Sequence, residues 1–171
     1  MPGMDHVLAK GFLATGGAVA YPQWSVVQQV SAVGLVPAAV QLAPTTAGTA
    51  AGSVDIVGVC QEPLDATKTV TGKAFINVAL SGNVKCIWDG TTGGTTPWAT
   101  VGVAPALGCY VVPSQAVAGR VKFLPPTGSG GLGYGVIGML IALPGSPLPT
   151  FGAGAAAGDL FDCMLMVGSR V

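Results

Sequence analysis

No window of 12 or more residues in this chain escapes glycine and proline while keeping an i, i+3, i+4 apolar stripe. The 27 glycines and 13 prolines are spread along the sequence, and a stable helix needs a longer uninterrupted run than they leave. Between them lie short Val-rich segments bounded by Gly, Pro and Thr, which is the pattern of half-buried strands joined by turns. The expected class is therefore all-β, a small barrel or a sandwich. Only Pro113–Ala118 and Gly152–Ala157 leave room for a short helix.

The most informative strand is Gly72–Val84, which reads GKAFINVALSGNV, entered at one glycine and left at another. It has an echo in Gly158–Val171: Gly72, Phe75 and Gly82 are spaced as Gly158, Phe161 and Gly168 are. Two further matches occur in the same order. Val27, Gly34 and Val36 are answered by Val112, Gly119 and Val121, with Ala106–Val112 standing where Trp24–Val27 stood. Ile56-Val57-Gly58-Val59 is answered by Val136-Ile137-Gly138-Met139. Ordered self-similarity of this kind indicates an internal duplication. The sequence thus divides into an extended N-terminal arm (1–22), a first β-module (23–97) and a second (98–171), the modules packing as one compact domain. Within the first module, strands are expected at Trp24–Val30, Gly34–Val40, Val54–Cys60, Lys73–Leu80 and Val84–Trp88. Pro44–Ser53 and Thr91–Pro97 read as loops, and Asp89-Gly90 as a turn.

Charge narrows the function. Only 8% of residues are Asp, Glu, Lys or Arg, and seven basic residues cancel seven acidic ones. A soluble domain ordinarily carries about 25%. No electrostatic footprint for nucleic acid or an anionic membrane results. So little charge makes a poor colloid, which implies a surface covered by a partner or by copies of the same chain. Mean hydropathy is +0.65, yet the longest apolar run, Val136–Leu143, falls far short of the roughly 20 residues of a spanning helix and ends at Pro144. With 6% aromatic residues the girdles of an outer-membrane barrel are not supplied either. Gly11–Ala20 makes a weak signal peptide, since Asp5 sits where a cationic segment belongs and Gly11, Gly16 and Gly17 dilute it.

Candidate chemistry is sparse. His6 is the single histidine and has no orienting partner in sequence. The carboxylates Asp5, Asp55, Glu62, Asp65, Asp89, Asp159 and Asp162 are explained by turns and strand edges. The pairs Glu62/Asp65 and Asp159/Asp162 do not make a glycosidase. Gly128–Gly138 lacks the following helix of a dinucleotide loop and the Lys of a P-loop. Cys60, Cys86, Cys109 and Cys163 show no metal-ligand spacing and read as buried thiols. Trp24, Trp88 and Trp98 suit either the plug of a barrel end or an interface anchor. No catalytic residue, cofactor or metal is expected.

Several of these stretches together resemble the capsid cement, or head decoration, proteins of tailed bacteriophages. The stretches are WSVVQQV, the strand at Val57–Val59, the G-x-x-F…V-x-L-S-G-x-V run of Gly72–Val84, and KCIWDGTTGG at Lys85–Gly94, which looks like the strand-turn of lambda-type decoration proteins. The resemblance covers most of residues 24–171, and the chain is longer than compact members. It implies a β-rich protein made in the host cytoplasm and bound to the outside of an icosahedral shell. Its partner would be the major capsid protein, clamped by a self-associated form, a homotrimer, with the arm reaching along the shell. A secreted or cell-surface β-module of the adhesin kind is the alternative expectation.

Overall fold

The computed structural model describes residues 7–15, 18–30, 39–45, 56–69, 74–92, 102–125, 136–142 and 155–166. The described residues form β1 (Leu8–Ala14), β2 (Val26–Gln29), β3 (Ala39–Leu42), β4 (Ile56–Cys60), α1 (Ala66–Thr69), β5 (Phe75–Ile87), β6 (Tyr110–Pro113), β7 (Val121–Leu124), β8 (Gly138–Leu140) and β9 (Leu160–Met166). The protein is all-β, as its punctuation requires. The one described helix is a single turn at Ala66–Thr69, and residues 115–119 are bends and turns instead. Expected loops at Pro44–Ser53 and Thr91–Pro97, the spacing partners Gly34 and Val36, and Gly168 fall largely or wholly outside the described residues.

The first five strands close into a barrel in the order β1-β3-β2-β4-β5, with β5 returning to β1. All pairings are antiparallel except β1–β3, which is parallel. The remaining strands repeat this plan. The second half of β5 pairs antiparallel with β9, then β9 with β8, β8 with β6 and β6 with β7. A parallel bridge from Trp88 to Val121 brings the ends together, as the parallel β1–β3 pairing does in the first barrel. The duplication reaches individual hydrogen bonds. Thr15 N donates to Val40 O and Asp89 N to Val121 O, each at 2.9 Å; Trp24 N donates to Cys60 O at 2.9 Å and Gly108 N to Leu140 O at 3.0 Å. Gln61 N donates to Asn77 O and Ile141 N to Asp162 O, both at 2.9 Å. Trp24 (φ 70°) even shares the left-handed backbone of its counterpart Gly108 (φ 82°), a conformation that suits the glycine and is uncommon for a bulky side chain.

These ladders correct the equivalences drawn from spacing. Gly58 and Gly138 do correspond. Phe161, however, answers Ile76 rather than Phe75, because Phe12 pairs with Ile76 where Cys86 pairs with Phe161. Burial agrees: Ile76 is 1% exposed and Phe161 0%, whereas Phe75 is 64% exposed. Likewise Val27 answers Val111, not Val112, since each pairs with the matched glycine. A slip of one residue in a strand exchanges its two faces, so matching Phe75 to Phe161 by letter equates residues on opposite faces.

Two boundaries also differ from expectation. Residues 8–14 of the anticipated arm are a barrel strand, held because Phe12 and Ala14 reach the first core while the main chain of β1 pairs with both β3 and β5. The change from one barrel to the other comes within β5, near Ser81–Gly82, instead of at a loop near Pro97. Gly82 does not end the strand; it pairs with Leu165 inside it.

How one strand serves two barrels follows from its register. The neighbours Leu8 and Ala9 pair with Ser81 and Ala79, so β5 carries an extra residue there. A bulge of this kind turns over the faces of the strand beyond it. Before it, Ile76 and Val78 point into the first core with Ala14, Val27, Val40 and Cys60. After it, Val84, Cys86 and Trp88 point into the second core with Val111, Val121, Phe123, Leu140 and Phe161. The barrels therefore curl to opposite sides of β5. The outer face of the first, Val26, Val59 and Ala79, joins the second core, which makes the two a continuous packing unit. The turn before β7 seals this contact: Val26 N donates to Gly119 O and Gly119 N to Ala43 O, both at 2.8 Å.

Candidate interaction surface

The side chains singled out for chemistry are dispersed, and each described one is already occupied. Glu62 accepts from Asn77 N at 3.1 Å. Asp65 caps α1, accepting from Thr67 N at 3.0 Å and Thr67 Oγ1 at 3.1 Å; these bonds hold its carboxyl below the usual range. Asp159 accepts from Ala156 N at 2.7 Å. Asp162, buried on the outer face of β9, forms an ion pair with its cross-strand partner Lys85 at 2.9 Å. Among the described residues no group of three or more His, Cys, Asp or Glu is placed to hold a metal. Asp5, His6, Asp55, Trp98 and most of the Gly128–Gly138 run lie outside the described residues.

One buried polar cluster was not anticipated. Asp89 follows the end of β5, accepts from Thr91 N and Thr91 Oγ1 at 2.8 Å each, and accepts from Ser114 Oγ at 2.5 Å. Ser114 Oγ in turn accepts from Ala116 N at 2.9 Å and Val117 N at 3.0 Å. Nearby Lys122 is buried, which lowers its pKa, while the charge of Asp89 acts in the opposite direction. The cluster has no counterpart in the first barrel, where Thr15, Val30 and Gln41 occupy the matching positions. Its hydrogen bonds run to main-chain donors of two turns, so it fixes the loops that cross the end of the second barrel.

All four cysteines are free and buried. Trp88 resolves as the filling of the second barrel: it is 2% exposed and packs on Phe123 and Phe161 with ring centroids 6.4 and 6.1 Å away. Trp24 is half-buried against the same core. In the first barrel the position of Trp88 is held by Ala14, and Tyr21 joins that core. Its hydroxyl donates to Val40 O at 3.0 Å and also contacts Thr15 O.

Burial here has a pH consequence. It pushes the Cys60 thiol from 9.0 and the Tyr21 phenol from 10.0 up to about 12. The unfolded chain thus releases these protons first, so stability present below pH 9 is lost as pH rises toward 12. The urea midpoint is expected to fall over that interval, and to fall less steeply in Cys60→Ala/Tyr21→Phe. Equal slopes in the two proteins would refute the assignment.

The feature that stands out is apolar and exposed. Direct cross-strand partners share a face of the sheet, and three such rows cross the outside of the second barrel. Leu8, Ser81 and Met166 lie abreast on β1, β5 and β9. Asn83, Met164 and Met139 lie abreast on β5, β9 and β8. Beyond the Lys85–Asp162 pair comes the row of Ile87 and Leu160. Leu8 is 60% exposed, Met164 44%, Leu160 39% and Met166 36%. Three of the five methionines of the chain thus stand on one surface. Unbranched thioethers adapt to a partner's contour better than branched side chains do. Clustered exposed apolar groups of this sort mark interaction sites. Sequence reasoning missed this face; the outward alternation of Leu160, Met164 and Met166 along one strand was the available signal.

No family model matches the chain, and no curated protein or solved structure is similar enough to count as a match. Among the described residues no helix is long and apolar enough to cross a membrane.

Proposed function

We propose that this protein is a structural virion component, a capsid cement or decoration protein that binds the outer surface of an icosahedral phage head and clamps neighbouring major capsid subunits. The observation that carries the reading is the apolar methionine face across β1, β5, β9 and β8, on a chain with almost no charge. A surface of that composition gains from permanent burial against a partner and has no field to steer transient encounters. The described carboxylates and thiols are engaged or buried, so the apolar face is the feature of the described surface that stands ready for a partner. Self-association as a trimer on the shell, with residues 1–7 preceding β1 in contact with it, completes the proposal.

Sedimentation with purified heads tests it. The protein is expected to pellet with shells at saturable stoichiometry and to stay in the supernatant without them; protein that remains soluble in the presence of heads refutes the reading. The contribution of the N-terminus is read by deleting residues 1–6 only. Removing residues 1–20 would take away β1 and open the first barrel, so weakened binding of that variant would report on folding.

A further inference from the structure

The apolar face carries one polar feature in its middle. Lys85 and Asp162 lie abreast on β5 and β9, between the row of Asn83, Met164 and Met139 and the row of Ile87 and Leu160. Lys85 Nζ meets Asp162 Oδ1 at 2.9 Å, and the two halves of the pair are unequally placed: side-chain exposure is 40% for Lys85 and 5% for Asp162. The anion is covered, and the ammonium faces outward. The barrel plan itself does not need this pair. Phe12 answers Cys86 and Ile76 answers Phe161, so the matching positions in the first barrel are Gly11 and Asn77, cross-strand partners without charge.

We propose that Lys85 is the polar anchor of this face, and that the partner meets it with a neutral carbonyl oxygen, of the main chain or of an Asn or Gln amide, set in an apolar surface. The inference rests on the proposed binding to a capsid subunit and adds what that subunit presents. An ammonium has three N–H donors, and Asp162 takes one of them. Docking strips water from the outward donors, and an entirely apolar partner would bury them unpaired. A carboxylate would pair them, but Asp162 already balances the charge, so a second carboxylate would bury a net negative triad. A carbonyl oxygen satisfies the donors and keeps the site neutral. It also fixes the register of the contact, since apolar rows alone tolerate sliding and a directional bond does not.

The test replaces the pair by apolar groups in the full-length protein, Lys85→Met/Asp162→Leu, and measures binding to purified heads. Removing the pair leaves the partner's oxygen buried without a donor, so binding is expected to weaken about tenfold or more, with circular dichroism matching the parent. Unchanged or tighter binding overturns the proposal, because apolar replacement of an ion pair buried against an apolar surface is neutral or favourable. The salt dependence of the parent gives a second reading without any variant. Its affinity is expected to hold as NaCl is raised; a steep fall would mark a partner carboxylate and overturn the neutral acceptor. Heads that fail to bind the parent overturn the functional reading and this inference together. Heads that bind the parent and the double variant alike overturn this inference alone.

Discussion

Gly58→Ala is expected to cost about 3 kcal/mol or more of stability, and Gly138→Ala nearly as much, because neither strand has room for a methyl group. A Cβ at Gly58 would stand 1.9 Å from Ala79 O, and one at Gly138 2.3 Å from Met164 O. These are main-chain atoms, so relief requires moving β4 from β5 or β8 from β9. The two sites are equivalent in the duplication: Ala79 and Met164 are the cross-strand partners of the residues that follow the two glycines, Val59 and Met139. Gly11→Ala serves as the comparison: it lies in a strand with open space around it and is expected to be neutral or slightly stabilising. Urea midpoints of the three variants decide the matter. A Gly58→Ala protein within about 0.5 kcal/mol of the parent, the range of ordinary surface substitutions, would show that the strands are not this close.

The largest functional effect is expected from Met164→Asp/Met166→Asp. Both side chains are exposed, on the outer face of β9, so the folded chain accommodates the charges and its circular dichroism should match the parent. Buried in an interface, two carboxylates without partners would each cost several kcal/mol, so head binding should weaken more than about a hundredfold. Phe75→Asp is the matched control. It is more exposed than either methionine, but it lies on the opposite face of β5, before the bulge, and should leave binding unchanged. Parental affinity in the double variant would place the contact elsewhere.

Several elements were legible because strand alternation writes burial into sequence. The Val-rich stretches gave β2, β4, β5, β6 and β8, and Gly58 and Gly138 marked the duplication correctly because each needs a residue without a side chain. Other features depend on register, which letters do not carry. The extra residue opposite Leu8 and Ala9 is what lets β5 continue from one barrel into the next; the sequence there reads as two strands separated by Gly82. Phe75 and Phe161 share a spacing and point to different environments for the same reason. β1 was hidden because half of its side chains are exposed and main-chain bonds do the holding; Leu8-Ala9 and Phe12-Leu13-Ala14 are apolar, but Lys10-Gly11 between them breaks the run. The methionine face is assembled from β8 and β9 beside β5 and exists only once the sheet has been ordered.

The central claim, that this protein decorates the outside of a phage head, is tested most directly by cryo-electron microscopy of heads with and without it. The difference map is expected to show added density on the outer surface, repeated with the shell's symmetry, with the β9 face turned toward the major capsid subunits. Identical maps, or added density confined to the interior, would contradict it.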